Sequence, residues 1–261
     1  MTSISCIITS YNNSEYLSAA IDSVLNQSQP VNEIIISDDF STDNSKEIIN
    51  SYANQYSQIR PIYREKNLGV GMNRDLALKA ASHKLVTWLD GDDWFYPDKI
   101  KNEFNALAGR NAIAFSDVAL VDNNKKKLGY WDMKNFPLTD NIKRLLWIST
   151  RQSPIPTHMM LPKEIYEQVG GIDPNITLYE DWDFKIRLAC HPIEWVKAPE
   201  CGLAYRQTGS GLSSASSYRR LIGQIRIIRN NRYLFSDTLG YIGYIKILLN
   251  LARRAIFRRH Q

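Results

Sequence analysis

Three carboxylates in four residues, Asp90-Gly91-Asp92-Asp93, follow directly on the apolar run Val86-Thr87-Trp88-Leu89. Like charges packed this closely repel one another, and a hard divalent ion with oxygen ligands relieves the repulsion best. An acidic strand end is equally often a solvated turn, so the cluster alone leaves the two readings on even terms. Two further acidic groups carry the same kind of chemistry. Asp38-Asp39 closes the apolar run Ile34-Ile35-Ile36, and Glu180-Asp181-Trp182-Asp183 opens a stretch with apolar Trp182, Ile186 and Ala189.

The elements that must position these acids alternate strand and helix. Ser5–Ile8 reads as a strand. Leu17, Ala20, Ile21, Val24 and Leu25 then recur at helical spacing, with Asn13 or Ser14 as cap. A strand over Ile34–Ile36 and a helix opened by Ser41-Thr42-Asp43, carrying Ile48, Ile49, Tyr52 and Ala53, come next. A strand over Arg60–Tyr63 and a helix around Leu76, Ala77 and Ala80 lead to the Val86 strand. Another helix follows Pro97, and Ala112–Val121 reads as a further strand. This alternation predicts an α/β fold, a mainly parallel sheet with helices on both faces. Right-handed crossovers place the polar ends of strands one, two and four on one edge. Thr9-Ser10-Tyr11, Asp38-Asp39 and Asp90–Asp93 should therefore converge where open α/β sheets bind ligands.

The second half is less regular. Asn123–Lys127 reads as an exposed turn, Thr157–Leu161 as a strand, Gly170–Pro174 as a loop and Glu180–Ala189 as a helix. Glu194–Lys197 and Gly202–Tyr205 suggest two short strands, and the chain turns helical after Ser217.

With 261 residues, 44% apolar and 23% charged, the chain suits one large α/β domain or two small ones and is not disordered. Ile4–Ile8 is too short an apolar stretch for a signal peptide. Cys6, Cys190 and Cys201 lack metal-ligand spacing, and Cys6 belongs to an apolar strand, which fits a reducing cytoplasm. Ten of the 32 Lys/Arg but one of the 27 Asp/Glu lie from Arg219 onward, leaving that tail about +9 and the rest about −4. Two readings of the tail stand side by side: an interfacial helix on an anionic leaflet, or a helix packed on the domain with a solvated basic edge. Its basic residues match no nucleic-acid motif.

Both common nucleotide folds fail at their turns. A dinucleotide fold needs G-x-G-x-x-G after the first strand, where this chain has Ser10-Tyr11-Asn12-Asn13, and the P-loop G-x-x-x-x-G-K-[ST] is absent. Gly69-Val70-Gly71 lacks the third glycine and reads as a loop entering a helix. What the chain does carry, in order, is Ile7-Ile8-Thr9-Ser10-Tyr11-Asn12, Ile36-Ser37-Asp38-Asp39-Phe40-Ser41-Thr42-Asp43, and Asn67-Leu68-Gly69 with Arg74. Leu89-Asp90-Gly91-Asp92-Asp93 follows, then Gly170-Gly171-Ile172-Asp173 before Glu180-Asp181-Trp182-Asp183. This set resembles glycosyltransferase family 2, inverting nucleotide-sugar enzymes of GT-A fold, from about residue 3 to about 207.

The resemblance implies roles. Thr9 and Tyr11 would form the lip of a base pocket, where an aromatic ring stacks on uracil. Asp39 would accept the ring N–H of the base, and Arg74 would pair with a phosphate or with Asp39. The family usually has Asn after this Arg; here it is Asp75. Asp92 and Asp93 would hold Mn²⁺ or Mg²⁺ on the diphosphate, with Asp90 near the ribose or a metal-bound water. Asp181, at a helix start, would be the catalytic base, its alternative being a helix N-cap. Glu180 would orient the acceptor or a loop, and Arg206 would reach a phosphate. Many relatives carry a His shortly after a Tyr-Arg pair, near the metal; here Tyr205-Arg206 is followed by Gln207-Thr208-Gly209-Ser210. His158 has two readings, facing the donor sugar or structural, and a lone His is more often structural.

The implied activity is inverting transfer of a sugar from a nucleoside-diphosphate sugar, a UDP-sugar by Asp39, to a hydroxyl of a glycan or lipid-linked saccharide, as in bacterial surface polysaccharide assembly. A sugar nucleotidyltransferase is the enzyme alternative, but the Gly-rich basic loop it needs after strand one is missing. A non-catalytic sugar-nucleotide-binding protein is the other. Residues 1–217 are expected to form the catalytic domain, with 1–122 binding the nucleotide sugar and 123–217 the acceptor. Residues 218–261 would be a basic helical extension on the cytoplasmic face of the inner membrane.

Overall fold

Strand β1 (Ile4–Ser10) has no exposed residue on either face, which its apolar run Ile4, Cys6, Ile7 and Ile8 allows. A strand buried on both faces belongs inside a sheet covered by helices. The structure, a computed structural model, describes residues 3–150, 154–207 and 217–257. Its first sheet runs β3 (Ile59–Tyr63), β2 (Glu33–Asp38), β1, β4 (Leu85–Asp90) and β8 (Leu161–Pro162). The first four are parallel and β8 is an antiparallel edge. Helices α1 (Leu17–Leu25), α2 (Ser45–Gln55) and α3 (Val70–Lys79) make the crossovers.

The register brings the acids together as expected. Ser10 lies beside Asp38, and Thr9 beside Asp90. Strand order reverses at β1, whose neighbours β2 and β4 come from crossovers of opposite direction, and the crevice opens there at the carboxyl ends.

The chain leaves this sheet directly after the acidic turn. β5 (Trp94–Phe95) pairs with β9 (Glu194–Arg206) in a second sheet ordered β5, β9, β6 (Ala112–Val121) and β7 (Lys127–Trp131). Ala112–Val121 is thus a strand, but of this second sheet. Glu194–Lys197 and Gly202–Tyr205 are not two strands but the ends of one. Between them the register against β6 slips, and Glu200 sits at φ 64°. Pro199 donates no ladder hydrogen bond, so the break in apolar pattern marks a bulge rather than a strand end. Thr157–Leu161 contributes only the Met160 bridge to Ala114 and the start of β8.

The expected cap of α1 is also different. Neither Asn13 nor Ser14 caps it through a side chain; the Asn13 carbonyl accepts the N–H groups of Tyr16 and Leu17 instead. After α4 (Lys99–Leu107), helices α5 (Asn141–Thr150), α6 (Lys163–Gln168) and α7 (Glu180–Cys190) complete the body, and α8 (Ser217–Asn230) and α9 (Arg232–Phe257) follow. Ile227, Ile228, Phe235, Ile247 and Leu251 of the last two helices are buried in the same apolar cluster as the sheets. Asn231 donates to Asp183 of α7 at 2.6 Å, so Asp183 is buried and bonded.

Candidate active site

The acidic turn is built by backbone first. The Gly91 N–H donates to the Thr9 carbonyl at 2.9 Å, and the Asp93 N–H to the Asp90 carbonyl at 3.0 Å. A Cβ at Gly91 would stand 2.9 Å from that Thr9 oxygen, so only glycine lets β4 turn this close to β1. The turn sends its three carboxylates to three environments. Asp90 Oδ1 accepts from Thr9 Oγ1 at 2.8 Å and from Arg74. Asp92 lines an open cleft. Asp93 is buried beneath the turn, where Oδ1 accepts the Arg206 N–H at 2.7 Å and Oδ2 has no hydrogen-bond partner.

Those environments separate their proton affinities. Burial alone would raise Asp90, but the charge of Arg74 and contacts from His158 outweigh it and hold this carboxyl far below the usual range. Burial, reinforced by Asp90, pushes Asp92 up to about 6. Burial and both neighbouring carboxylates push Asp93 well above its ordinary value. Three acids here cannot all ionise cheaply without a cation.

His158 completes the cluster. Its Nε2 lies 3.3 Å from Asp90 Oδ2 and 3.9 Å from Asp93 Oδ2, and it is buried without a hydrogen-bond partner. Burial lowers the imidazole's affinity for a proton against the pull of Asp90. Asp90, Asp93 and His158 offer ligand atoms within 4.8 Å of one another, the one such group among the described residues. Oxygen donors with one imidazole suit a divalent ion such as Mn²⁺, and two buried atoms without partners fit one better than a closed polar network. No local spacing marked His158 in the sequence, because it lies 65 residues beyond Asp93 and arrives through the segment before β8.

On the nucleotide side, Asp39 is buried at the cleft wall. Its oxygens accept the N–H groups of Leu68 and Gly69, each at 2.8 Å, and burial raises its pKa despite them. Tyr11 is about half exposed at the mouth. Thr9, Tyr11, Asp39, Arg74, Asp90 and Asp92 all line one cleft of about 670 Å³. Arg74 does not pair with Asp39. It is buried and spans Asp90 and Glu180, the latter at 3.1 Å, so both its ends are committed within the protein. Asp75 is a buried acceptor: the Tyr166 hydroxyl donates to it at 2.7 Å and Lys79 at 2.7 Å. No amide is needed at that position.

The remaining wall comes from α7 and the segment before it. Tyr179 takes a left-handed φ of 68°, and its carbonyl accepts the N–H groups of Trp182 and Asp183. Asp181 is therefore inside the helix rather than its N-cap, and its carboxylate binds Lys185 Nζ at 2.7 Å, one turn on. Asp181 and Lys185 both line the cleft. That i,i+4 pairing was legible in the sequence. Glu180 also lines it, and its buried carboxylate is tied to Arg74, the geometry of a group that holds the wall in place. Arg206 also lines the cleft, with part of its guanidinium held by the protein. Its guanidinium donates to the carbonyls of Asp92 and Asn123 at 2.8 and 2.9 Å and lies against the rings of Tyr16 and Trp94. Trp131 stacks on Tyr205 at 5.6 Å between ring centroids, and with Ile155, Ile176 and Leu178 adds apolar surface to the cleft lining that no sequence pattern announced.

The family model described as "Glycosyl transferase family 2" matches residues 5–170, more than half of the chain. The chain belongs to glycosyltransferase family 2. An uncharacterized glycosyltransferase of Nostoc sp. is 29% identical over 98% of the chain and 81% of its own length. A cholesterol galactosyltransferase of Borreliella burgdorferi is 36% identical over 55% of this family 2 chain, which spans 41% of that relative. The fold matches S. aureus TarS in complex with UDP at a TM-score of 0.74 and 16% identity, covering 97% of this chain and 71% of the other. The GT-A expectation for the two-sheet α/β architecture is thereby met.

Proposed function

We propose that this family 2 member transfers a sugar, with inversion, from a nucleoside-diphosphate sugar to an acceptor hydroxyl, and that the donor is a UDP-sugar. The observation that carries the proposal is the shared cleft. Base-pocket residues, the acidic turn and a half-exposed carboxylate on α7 line one cavity of about 670 Å³, large enough for a donor and the reacting end of an acceptor. S. aureus TarS structures hold UDP and UDP-GlcNAc, which supports the same donor class.

Each residue then has a task. Tyr11 stacks on the base, and Asp39 accepts its ring N–H with a carboxylate already aimed by Leu68 and Gly69. Thr9 and Arg74 hold Asp90 by its Oδ1, so that its other oxygen is left for the ribose or the metal side. Asp92 and Asp93 supply carboxylates for Mn²⁺ or Mg²⁺. When bound, the cation offsets the charge that builds on the departing diphosphate. Asp181 takes the acceptor hydroxyl's proton as attack begins, and Lys185 keeps that carboxylate in one rotamer. A single displacement from the face away from the diphosphate inverts the anomeric centre.

The acceptor is proposed to be a glycan or lipid-linked saccharide of a bacterial surface polymer. A Bacillus subtilis relative whose name proposes a role as a teichuronic acid biosynthesis glycosyltransferase is 35% identical over 45% of the chain. The apolar lining contributed by Trp131, Ile155, Ile176 and Leu178 favours a ligand with sugar faces or alkyl surface over a charged one. Residues 218–261 are proposed to hold the enzyme at the cytoplasmic face of an anionic membrane, as a peripheral attachment. No described helix is long and apolar enough to cross a membrane.

The test is Asp181→Asn. Transfer should fall by about 10³-fold or more, while UDP affinity in the presence of Mn²⁺ stays within about twofold. Unchanged turnover in that variant would sink the assignment of the base.

A further inference from the structure

The metal site proposed above has two carboxylates and no histidine from the stretch after Arg206. The geometry points to His158 as the missing protein ligand, binding the divalent ion through Nε2 together with Asp93 Oδ2, and it brings Asp90 into the ligand set through its Oδ2. This assignment rests on the transferase reading but goes beyond it, because nothing in the motif order places a residue of the 154–160 segment at the metal.

Four observations carry it. The first is that the two key atoms are buried and unpartnered: His158 Nε2 and Asp93 Oδ2 make no hydrogen bond, and both side chains are 2% exposed. Buried polar atoms in native folds are almost always paired, so two unpaired ones facing each other define a place where something binds. The second is spacing. Ligand atoms about 2.1–2.2 Å from one six-coordinate ion lie about 3 Å apart when adjacent and about 4.3 Å apart when opposite. Nε2 stands 3.3 and 3.9 Å from the two carboxylate oxygens, both within that range, and the longer is too far for a hydrogen bond.

The third observation is that protein cations cover only the other oxygens. Arg74 is committed to Asp90 Oδ1 and Glu180, and the Arg206 guanidinium to two backbone carbonyls, while its N–H takes Asp93 Oδ1. The Oδ2 atoms are left facing the imidazole. The fourth is orientation. Nδ1 lies 3.1 Å from the Thr157 hydroxyl, and Met160 on the same segment is bonded both ways to Ala114. A ligating histidine normally has its second nitrogen hydrogen-bonded, which holds the ring and leaves Nε2 to face an ion. His158 itself sits at φ 48°, a left-handed conformation that costs about 1 kcal/mol for a non-glycine residue and aims the ring inward.

An imidazole nitrogen in the ligand set favours Mn²⁺ over Mg²⁺, which prefers oxygen alone. The deciding measurement is pulsed EPR on the full chain with Mn²⁺ and UDP. The expected result is a ¹⁴N coupling from a directly bound imidazole, and its loss in His158→Gln. Mn²⁺ affinity in His158→Gln should fall by about tenfold or more, with its melting temperature recorded to separate a lost ligand from a lost fold. Because the wild-type spectrum needs no variant, failure of His158→Gln to fold leaves the assignment testable. Mn²⁺ bound with UDP but without nitrogen coupling overturns His158 as ligand and leaves the transferase reading standing. A coupling that persists in folded His158→Gln points to another histidine and overturns it equally. No Mn²⁺ binding with UDP overturns the metal site and His158 as its ligand together, and leaves the transferase reading to the Asp181→Asn test.

Discussion

Two adjacent acids on α7 show how little residue type says without surroundings. Asp181 faces the cleft with Lys185 holding it, whereas Glu180 is buried on Arg74. Burial, with the charge of Asp181, pushes Glu180 up to about 7 against the pull of Arg74. A carboxyl raised above its unfolded value of 4.5 holds its proton more tightly in the folded chain. Folding stability is therefore highest below about pH 4.5 for this group, falls as pH rises through about 7, and stays reduced above. Glu180→Gln keeps an acceptor for Arg74 and removes the titration. Thermal melts from pH 5 to 8 should show wild type losing stability relative to the variant, by on the order of 2 kcal/mol at the alkaline end. Parallel curves would show that the shift is absent. Asp39, Asp92 and Asp181 could be picked out in sequence because each ends a strand or starts a helix in a fixed order. The structural commitments of Arg74, Glu180 and Arg206 could not, since their partners lie 16, 106 and up to 114 residues away.

At the scale of elements, the loop before α7 depends on α3 and α6 meeting at Asp75. Its Oδ1 accepts the Tyr166 hydroxyl at 2.7 Å, and Ile172 N–H approaches both, at 3.3 Å from the carboxylate and 3.1 Å from the hydroxyl. Gly171 fits there at φ 63°, where a Cβ would stand 2.6 Å from that carboxylate oxygen. Asp75→Asn retains the acceptor and loses only the half-exposed Lys79 pair, so it should cost less than about 1 kcal/mol. Asp75→Ala leaves a buried tyrosine hydroxyl without its partner and should cost about 2–3 kcal/mol. Denaturant unfolding of the two variants checks this, and equal losses would mean that Lys79 rather than Tyr166 is what Asp75 holds. The first four strands and their crossovers were readable because each is an apolar run between turn residues. The second sheet was not: β7 is largely exposed and has no apolar run, β5 has two residues, and the bulge at Pro199-Glu200 made β9 look like two strands.

For the molecule as a whole, the basic tail does two things at once. Its buried face, Ile227, Ile228, Phe235, Ile247 and Leu251, is part of the common core, and Gly223 on α8 lies close to Leu178 and Tyr179 at the cleft. Its outer face carries Arg226, Arg229 and Lys246 with exposed Ile222, Tyr241, Ile242 and Leu249. Truncation after residue 217 would strip the core along with the surface, so charge reversal is the cleaner probe of membrane attachment. Each basic side chain near an anionic bilayer contributes about 1 kcal/mol. Arg226→Glu, Arg229→Glu and Lys246→Glu together should therefore weaken binding to phosphatidylserine-containing vesicles by about two orders of magnitude or more. Because these side chains are exposed, the melting temperature should move little. Wild-type binding should also weaken as salt rises toward 0.5 M, since screening shortens the reach of surface charge to a few ångströms (about 4 Å). Vesicle sedimentation reads both effects. If the triple variant sediments like wild type, the outer face does not carry the attachment, and the tail serves only to pack α5 and α7 beneath Asp181.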